Sequence, residues 1–132
     1  MKPEGTCLER WLNVCDTLEG FGWRAVDFDG TLVNNSHSKP RDPYEIHGEP
    51  IAAMVDTVKE WIAHGVKVCL FTARIGPTDD VRDVARVRTK LQGWCLEHLG
   101  IVIPITCIKS HHIEAIYDDR AFRVTRNQGI IE

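Results

Sequence analysis

Two carboxylates, Asp27 and Asp29, flank Phe28 at the end of an apolar run, and Gly30-Thr31 follows at once. Along a strand, residues i and i+2 share a face. A glycine just beyond lets the chain turn sharply, so both acids gather around one point past the strand's end. Converging carboxylates repel unless a cation or a shared proton lies between them. The segment therefore predicts a divalent metal site, a nucleophile with its acid/base partner, or both. Three further polar groups close apolar runs in the same way: Thr72-Ala73-Arg74, Lys109-Ser110 and Asp118-Asp119-Arg120. Gathered at one edge, these residue types have a coherent chemistry. A carboxylate attacks phosphorus and forms an acyl phosphate. Oxygen-held magnesium shields the attack of one anion on another. A lysine and a hydroxyl hold the phosphoryl oxygens, and a second acid protonates the leaving alcohol and then activates water.

The elements that must position these groups follow from the patterning. Residues 6–19 read as a helix, with a Thr6/Glu9 capping box and Leu8, Trp11, Leu12, Cys15 and Leu18 on one stripe. Residues 23–28 read as the first strand. The polar stretch 34–50 is long for a connection and reads as a flap-like insert. A helix is expected over 51–64, ended by Gly65, then a strand over 66–71, a loop at 75–78 and a long helix over about 79–98 stopped by Gly100. Ile101 to Ile108 reads as a third strand region interrupted at Pro104. Ile113 to Tyr117 enters a fourth strand, and Phe122 to Thr125 is a candidate fifth.

Strands alternating with helices imply an α/β fold: one three-layer, doubly wound, Rossmann-like domain over 1–132, with a mainly parallel sheet and no sizeable cap domain. Within it, 1–22 is an N-terminal helical extension. Ligands in such sheets bind beyond the carboxyl ends of the strands, which is where the four polar groups fall.

At 132 residues, 43% hydrophobic and 27% charged, the chain has the makeup of one ordinary globular domain. Its formal charge of −3 gives no sign of a broad nucleic-acid surface. Neither a secretory signal nor a membrane-spanning run is read, so the expected location is cytoplasmic with no membrane partner. Five cysteines without a CxxC motif read as reduced thiols, mostly core filler.

Asp27-Phe28-Asp29-Gly30-Thr31, Phe71-Thr72, Lys109 and Asp118-Asp119, in this order and spanning about residues 24–125, resemble the four signature motifs of the haloacid dehalogenase-like (HAD) hydrolases. The resemblance implies a small, capless phosphatase working through an aspartyl-phosphate. Asp27 would be the nucleophile and a metal ligand. Asp29 would be the general acid/base, its backbone carbonyl facing the metal. Thr72, with Ala73 and Arg74, would bind the substrate phosphate. Lys109 would neutralise nucleophile and phosphate, and Asp118 and Asp119 would complete the magnesium site. The second acid of the first motif points away from dehalogenation. Without a cap the site should open to solvent or be covered by a second copy in a homo-oligomer. A phosphorylated small molecule is the expected substrate. The alternatives are a nucleotide or polynucleotide end phosphatase and a catalytically silent phospho-ligand-binding relative.

Other residues carry weaker signals. Arg74 and Arg120 read as salt-bridge partners of the acids in preference to substrate ligands. Adjacent His111 and His112 on a turn rarely converge on one ion. His37, Lys39, Arg41 and His47 in the insert read equally as substrate contacts and as a solvated loop. Arg82, Arg86, Arg88 and Lys90 alternate with acids, the mark of a solvated helix face. A phosphoaspartate signalling receiver shares the residue types, but it places its acidic pair at the first strand and its acceptor Asp later. Here the acidic pair Asp118-Asp119 comes last.

Overall fold

The computed structural model of the chain describes residues 15–35, 44–76 and 83–132. Four strands, β1 (Trp23–Val26), β2 (Val68–Phe71), β3 (Ile105–Thr106) and β4 (Ile113–Tyr117), form one sheet in the order β3-β2-β1-β4. All neighbours are parallel, with Ala25 opposite Cys69, Val26 opposite Tyr117 and Leu70 opposite Ile105. Helix α1 (Ala52–Ala63) joins β1 to β2, and α2 (Val84–Leu99) joins β2 to β3. This is a single α/β domain of Rossmann-like design.

Two successive crossovers in one direction place their helices on the same face of the sheet. Val55 and Val58 of α1 and Val87, Leu91, Trp94, Cys95 and Leu99 of α2 accordingly join Val26, Leu70 and Ile105 in one buried cluster. The chain then reverses, and β4 docks on the free side of β1. On the opposite face, Leu18, Ala25 and Cys69 form a smaller cluster with Trp23, Phe71, Ile113 and Ile116 against it. The period-two alternation along β1 explains the split, since Ala25 and Val26 must face opposite ways. No helix among the described residues is long and apolar enough to cross a membrane.

Helix ends fall where local chemistry puts them. The Asp83 side chain accepts from the Arg86 N–H at 3.2 Å and caps α2, and Gly100 ends it in the left-handed region at φ 81°. Three expectations need correction. The helix read over 6–19 lies mostly outside the described residues, but its described part, 15–19, is not helical. There the Asp16 N–H donates to the Ile105 carbonyl at 2.8 Å, and the Asp16 carboxylate accepts from the Ile105 N–H, also at 2.8 Å. Pairing to the β3 edge outweighs helix propensity. The third strand shrinks to Ile105–Thr106, with Ile101 and Val102 exposed. The candidate fifth strand does not join the sheet: Val124 bridges Ile131 in a terminal hairpin of its own.

The insert keeps its stem. The Asn34 N–H donates to Glu49 O and the Ile51 N–H to Leu32 O, each at 2.8 Å, so the chain leaves and returns side by side. Gly48 is required there, because a Cβ at that position would lie 1.6 Å from the Asn34 carbonyl oxygen. Residues 36–43, with His37, Lys39 and Arg41, lie outside the described residues. So do Thr6, Glu9 and the rest of the capping box, the loop residues 77 and 78, and Arg82.

Candidate active site

The reversal of strand order falls between β1 and β4, and a crevice opens at the carboxyl end of such a pair. Asp27 stands there. Its N–H donates to the Tyr117 carbonyl at 2.9 Å, which extends the β1–β4 pairing by one residue and sets the side chain at the sheet's edge. The chain then turns on Phe28, which is fully buried and packs edge-on against Trp94 at 4.9 Å. The Phe28 carbonyl accepts from the N–H groups of Leu32 and Val33 at 2.9 and 3.1 Å. This anchored turn holds Asp29, Gly30 and Thr31 above the strand ends.

Asp27, Asp118 and Asp119 each offer a carboxylate oxygen within 4.8 Å of the other two. Asp118 follows β4 directly, and its Oδ1 accepts from the Arg120 N–H at 2.8 Å, which bends the chain away. Thr31 ties the group together. Its hydroxyl donates to Asp119 Oδ1 at 3.2 Å and lies 3.5 Å from Asp27 Oδ2, and its oxygen accepts from the Asp119 N–H at 3.2 Å. The Asp27 carboxyl is pushed up to about 7, first by burial, then by its contact with Asp119 and the nearby charge of Asp118. A cation between the three would remove that repulsion. An all-carboxylate donor set suits a hard divalent ion of the magnesium or calcium type.

Asp29 does not join the three. Arg74 takes it in a fork, Nε to Oδ2 at 2.8 Å and Nη2 to Oδ1 at 2.9 Å, and also donates from Nη1 to the Glu45 carbonyl at 2.9 Å. Arg74 is thus a salt-bridge partner, and it also ties the first motif to the base of the insert. Thr72 is buried and does two things. Its Oγ accepts from the Arg74 N–H at 3.1 Å, capping the short 3-10 turn Ala73–Ile75, and it lines the same cavity as Asp27.

That cavity, about 640 Å³, is lined by Asp27, Asp29, Thr72, Ala73, Cys107 and Asp118, and also by Asn35 and Arg120. Lys109 is not part of this wall. It is exposed and makes no hydrogen bond or ion pair among the described residues. The Ile108 N–H donates to Thr106 Oγ1 at 3.1 Å, turning the chain just after β3, so Cys107 takes the place at the strand end. Arg120 also makes no ion pair among the described residues. Phe21 stacks on His112, His111 packs at a tilt against both, and His112 Nδ1 lies 2.6 Å from the Gly20 carbonyl, so they form a surface aromatic cluster away from the carboxylates. His47 is exposed.

Thr31 and Cys107 were not singled out as site residues by sequence reasoning. Thr31 had a signal, its place directly after the acidic pair. Cys107 had none, since it depends on where a two-residue strand stops. Comparison with protein-family models, curated proteins and solved structures returned no match.

Proposed function

We propose that the chain is a magnesium-dependent phosphomonoester hydrolase with Asp27 as its nucleophile, the activity implied by its resemblance to HAD-like hydrolases. The observation that carries the proposal is Asp27 itself: a half-buried carboxylate at the strand-order switch, with Asp118 and Asp119 oxygens within 4.8 Å and an open cavity before it.

Asp27, Asp118 and Asp119 are the residues that would hold the ion. A bound magnesium ion supplies charge neutralisation for the three carboxylates and the incoming phosphate. The remaining duties fall to the chain. An ionised Asp27 oxygen attacks phosphorus, and the alcohol leaves with a proton. The Thr72 oxygen is occupied by the Arg74 N–H, which leaves its own hydrogen to donate to a phosphoryl oxygen. Asp29 faces the cavity and is the proton carrier for the leaving alcohol and then for water. Both its oxygens accept from Arg74, so proton transfer requires that fork to open. Arg120 lines the same cavity and supplies positive charge for the anionic substrate. An open cavity admits nucleotide ends as well as small phosphate esters.

The test is turnover of para-nitrophenyl phosphate by the wild type and Asp27→Asn, with magnesium and with EDTA. Wild-type turnover should need the ion, and Asp27→Asn should lose about 10³-fold or more. Retained activity in the variant overturns the proposal. The position of Lys109 outside the cavity wall favours a second reading, a non-catalytic phospho-ligand binder. In that case the wild type binds orthophosphate in calorimetry but turns over no ester.

A further inference from the structure

Two thiols meet beside the candidate site from opposite ends of the chain. Cys15 Sγ and Cys107 Sγ lie 3.5 Å apart, across 92 residues of sequence. Their surroundings fix this approach. Asp16, next to Cys15, pairs through its backbone and side chain with Ile105, and its carboxylate also meets Arg88 of α2. Cys107 Sγ lies 3.9 Å from the Ile75 carbonyl, at the foot of the 3-10 turn. Cys107 lines the active-site cavity. Cys15 lines a second cavity of about 220 Å³ with Thr106, Ile108 and His112. The pair therefore links the linings of the two cavities.

We propose that Cys15 and Cys107 form a reversible disulfide that covalently fastens the segment before β1 to the wall of the active-site cavity. The co-reactant is a low-molecular-weight disulfide of the glutathione type. The Cys15 thiolate attacks one sulfur of that disulfide, whose S–S bond breaks and releases one small thiolate. Cys107, giving up its proton, then attacks Cys15 Sγ in the mixed disulfide and displaces the second. Two protein thiols are oxidised by two electrons, one small disulfide is reduced to two thiols, and both protons end on the released thiols.

The roles are unequal for physical reasons. The Cys107 thiol donates toward Cys15, which brings Cys15 down to about 6, against the pull of burial and of Asp16. Cys107 is pushed upward by the same contact. A thiolate reached through the second cavity is the attacking group. Cys69 and Cys95 are buried and pushed up to about 12 and about 11, and so stay inert. Bond formation closes the sulfurs from 3.5 Å to the roughly 2.05 Å of a disulfide, shifting the Cys107 side of the wall.

The test uses the full chain equilibrated in glutathione redox buffers, acid-quenched, blocked with N-ethylmaleimide and mapped without reduction. Trypsin with a Glu-specific protease separates Cys95 from Cys107 at Glu97. The expected product is a single Cys15–Cys107 linked pair, removed by dithiothreitol. The thermal midpoint of the oxidised form should rise by about 5–15 °C, because the bond closes a long loop. In Cys107→Ala, the pH at which Cys15 is half-alkylated should rise toward the ordinary thiol range, because the hydrogen bond that lowers it is gone. Cys15→Ser should abolish both the linked peptide and the midpoint shift while keeping a native circular dichroism spectrum. Recovery of Cys15 and Cys107 as blocked thiols, or linkage of Cys107 to Cys7 or Cys95, overturns the proposal. None of these readouts depends on hydrolase activity.

Discussion

Gly30 and Asp119 are fitted to each other: a Cβ at position 30 would lie 2.5 Å from Asp119 Oδ2. Gly30 also sits at φ 85°, a backbone region that L side chains seldom enter. The first motif's glycine thus does more than turn the chain. It makes room for a carboxylate contributed by the last strand of the sheet.

Gly30→Ala should therefore cost more than conformation alone. Gly65 has a similar φ of 77° with nothing within 4 Å, so Gly65→Ala isolates the conformational part, about 1–2 kcal/mol. Urea denaturation should show a larger loss for Gly30→Ala. Magnesium titration should show weakened binding for that variant alone.

Thr31 orients both Asp119 and Asp27 without belonging to the carboxylate set. Thr31→Val should lower magnesium affinity by about 10–100-fold, the usual effect of removing a hydrogen bond behind a metal ligand. Thr31→Ser, which keeps the hydroxyl, should retain most of it. Isothermal titration calorimetry of the three proteins checks this.

The Arg74–Asp29 fork is mostly buried and bidentate. A double-mutant cycle through Arg74→Gln and Asp29→Asn, followed by denaturant unfolding, should give a coupling of about 1–2 kcal/mol. Arg74→Lys should recover little of it, since an ammonium cannot reproduce the fork or reach Glu45 in the same pose.

Asp27 sets a pH dependence whose sign is definite. Its folded value, about 7, lies above the ordinary carboxyl value, so the folded state holds a proton that the unfolded chain has released. In EDTA this contribution is fully present below about pH 4 and is lost as pH rises toward 7. Thermal midpoints across that window should show this falling component, and Asp27→Asn should remove it. Magnesium favours the ionised carboxyl and should reverse the trend.

How much of this was legible in the sequence depends on what each part rests upon. Asp27, Thr72 and Asp118 could be placed because each ends an apolar run, and parallel strands bring such ends to one edge. The fork on Arg74 was legible as a type of interaction, but not its choice of Asp29 over the other acids, which depends on the turn at Phe28. The Cys15–Glu19 segment reads as helix because its apolar stripe has helical spacing, and the edge pairing of Asp16 with Ile105 that overrides it lies 89 residues away in sequence. Lys109 is expected at the site if β3 runs to Ile108; the strand stops at Thr106, and Lys109 does not line the cavity.

β4 is an edge strand, and none of its residues is fully buried. Detachment of such a strand is among the less costly openings of a folded domain. Asp118 and Asp119 depart with it, and the carboxylate group reverts to Asp27 alone. Any ion that bridges the three binds only the closed form, and so works as a clamp on the strand. Amide hydrogen exchange along Ile113–Tyr117 should slow on addition of magnesium, while exchange in α2 stays as it was.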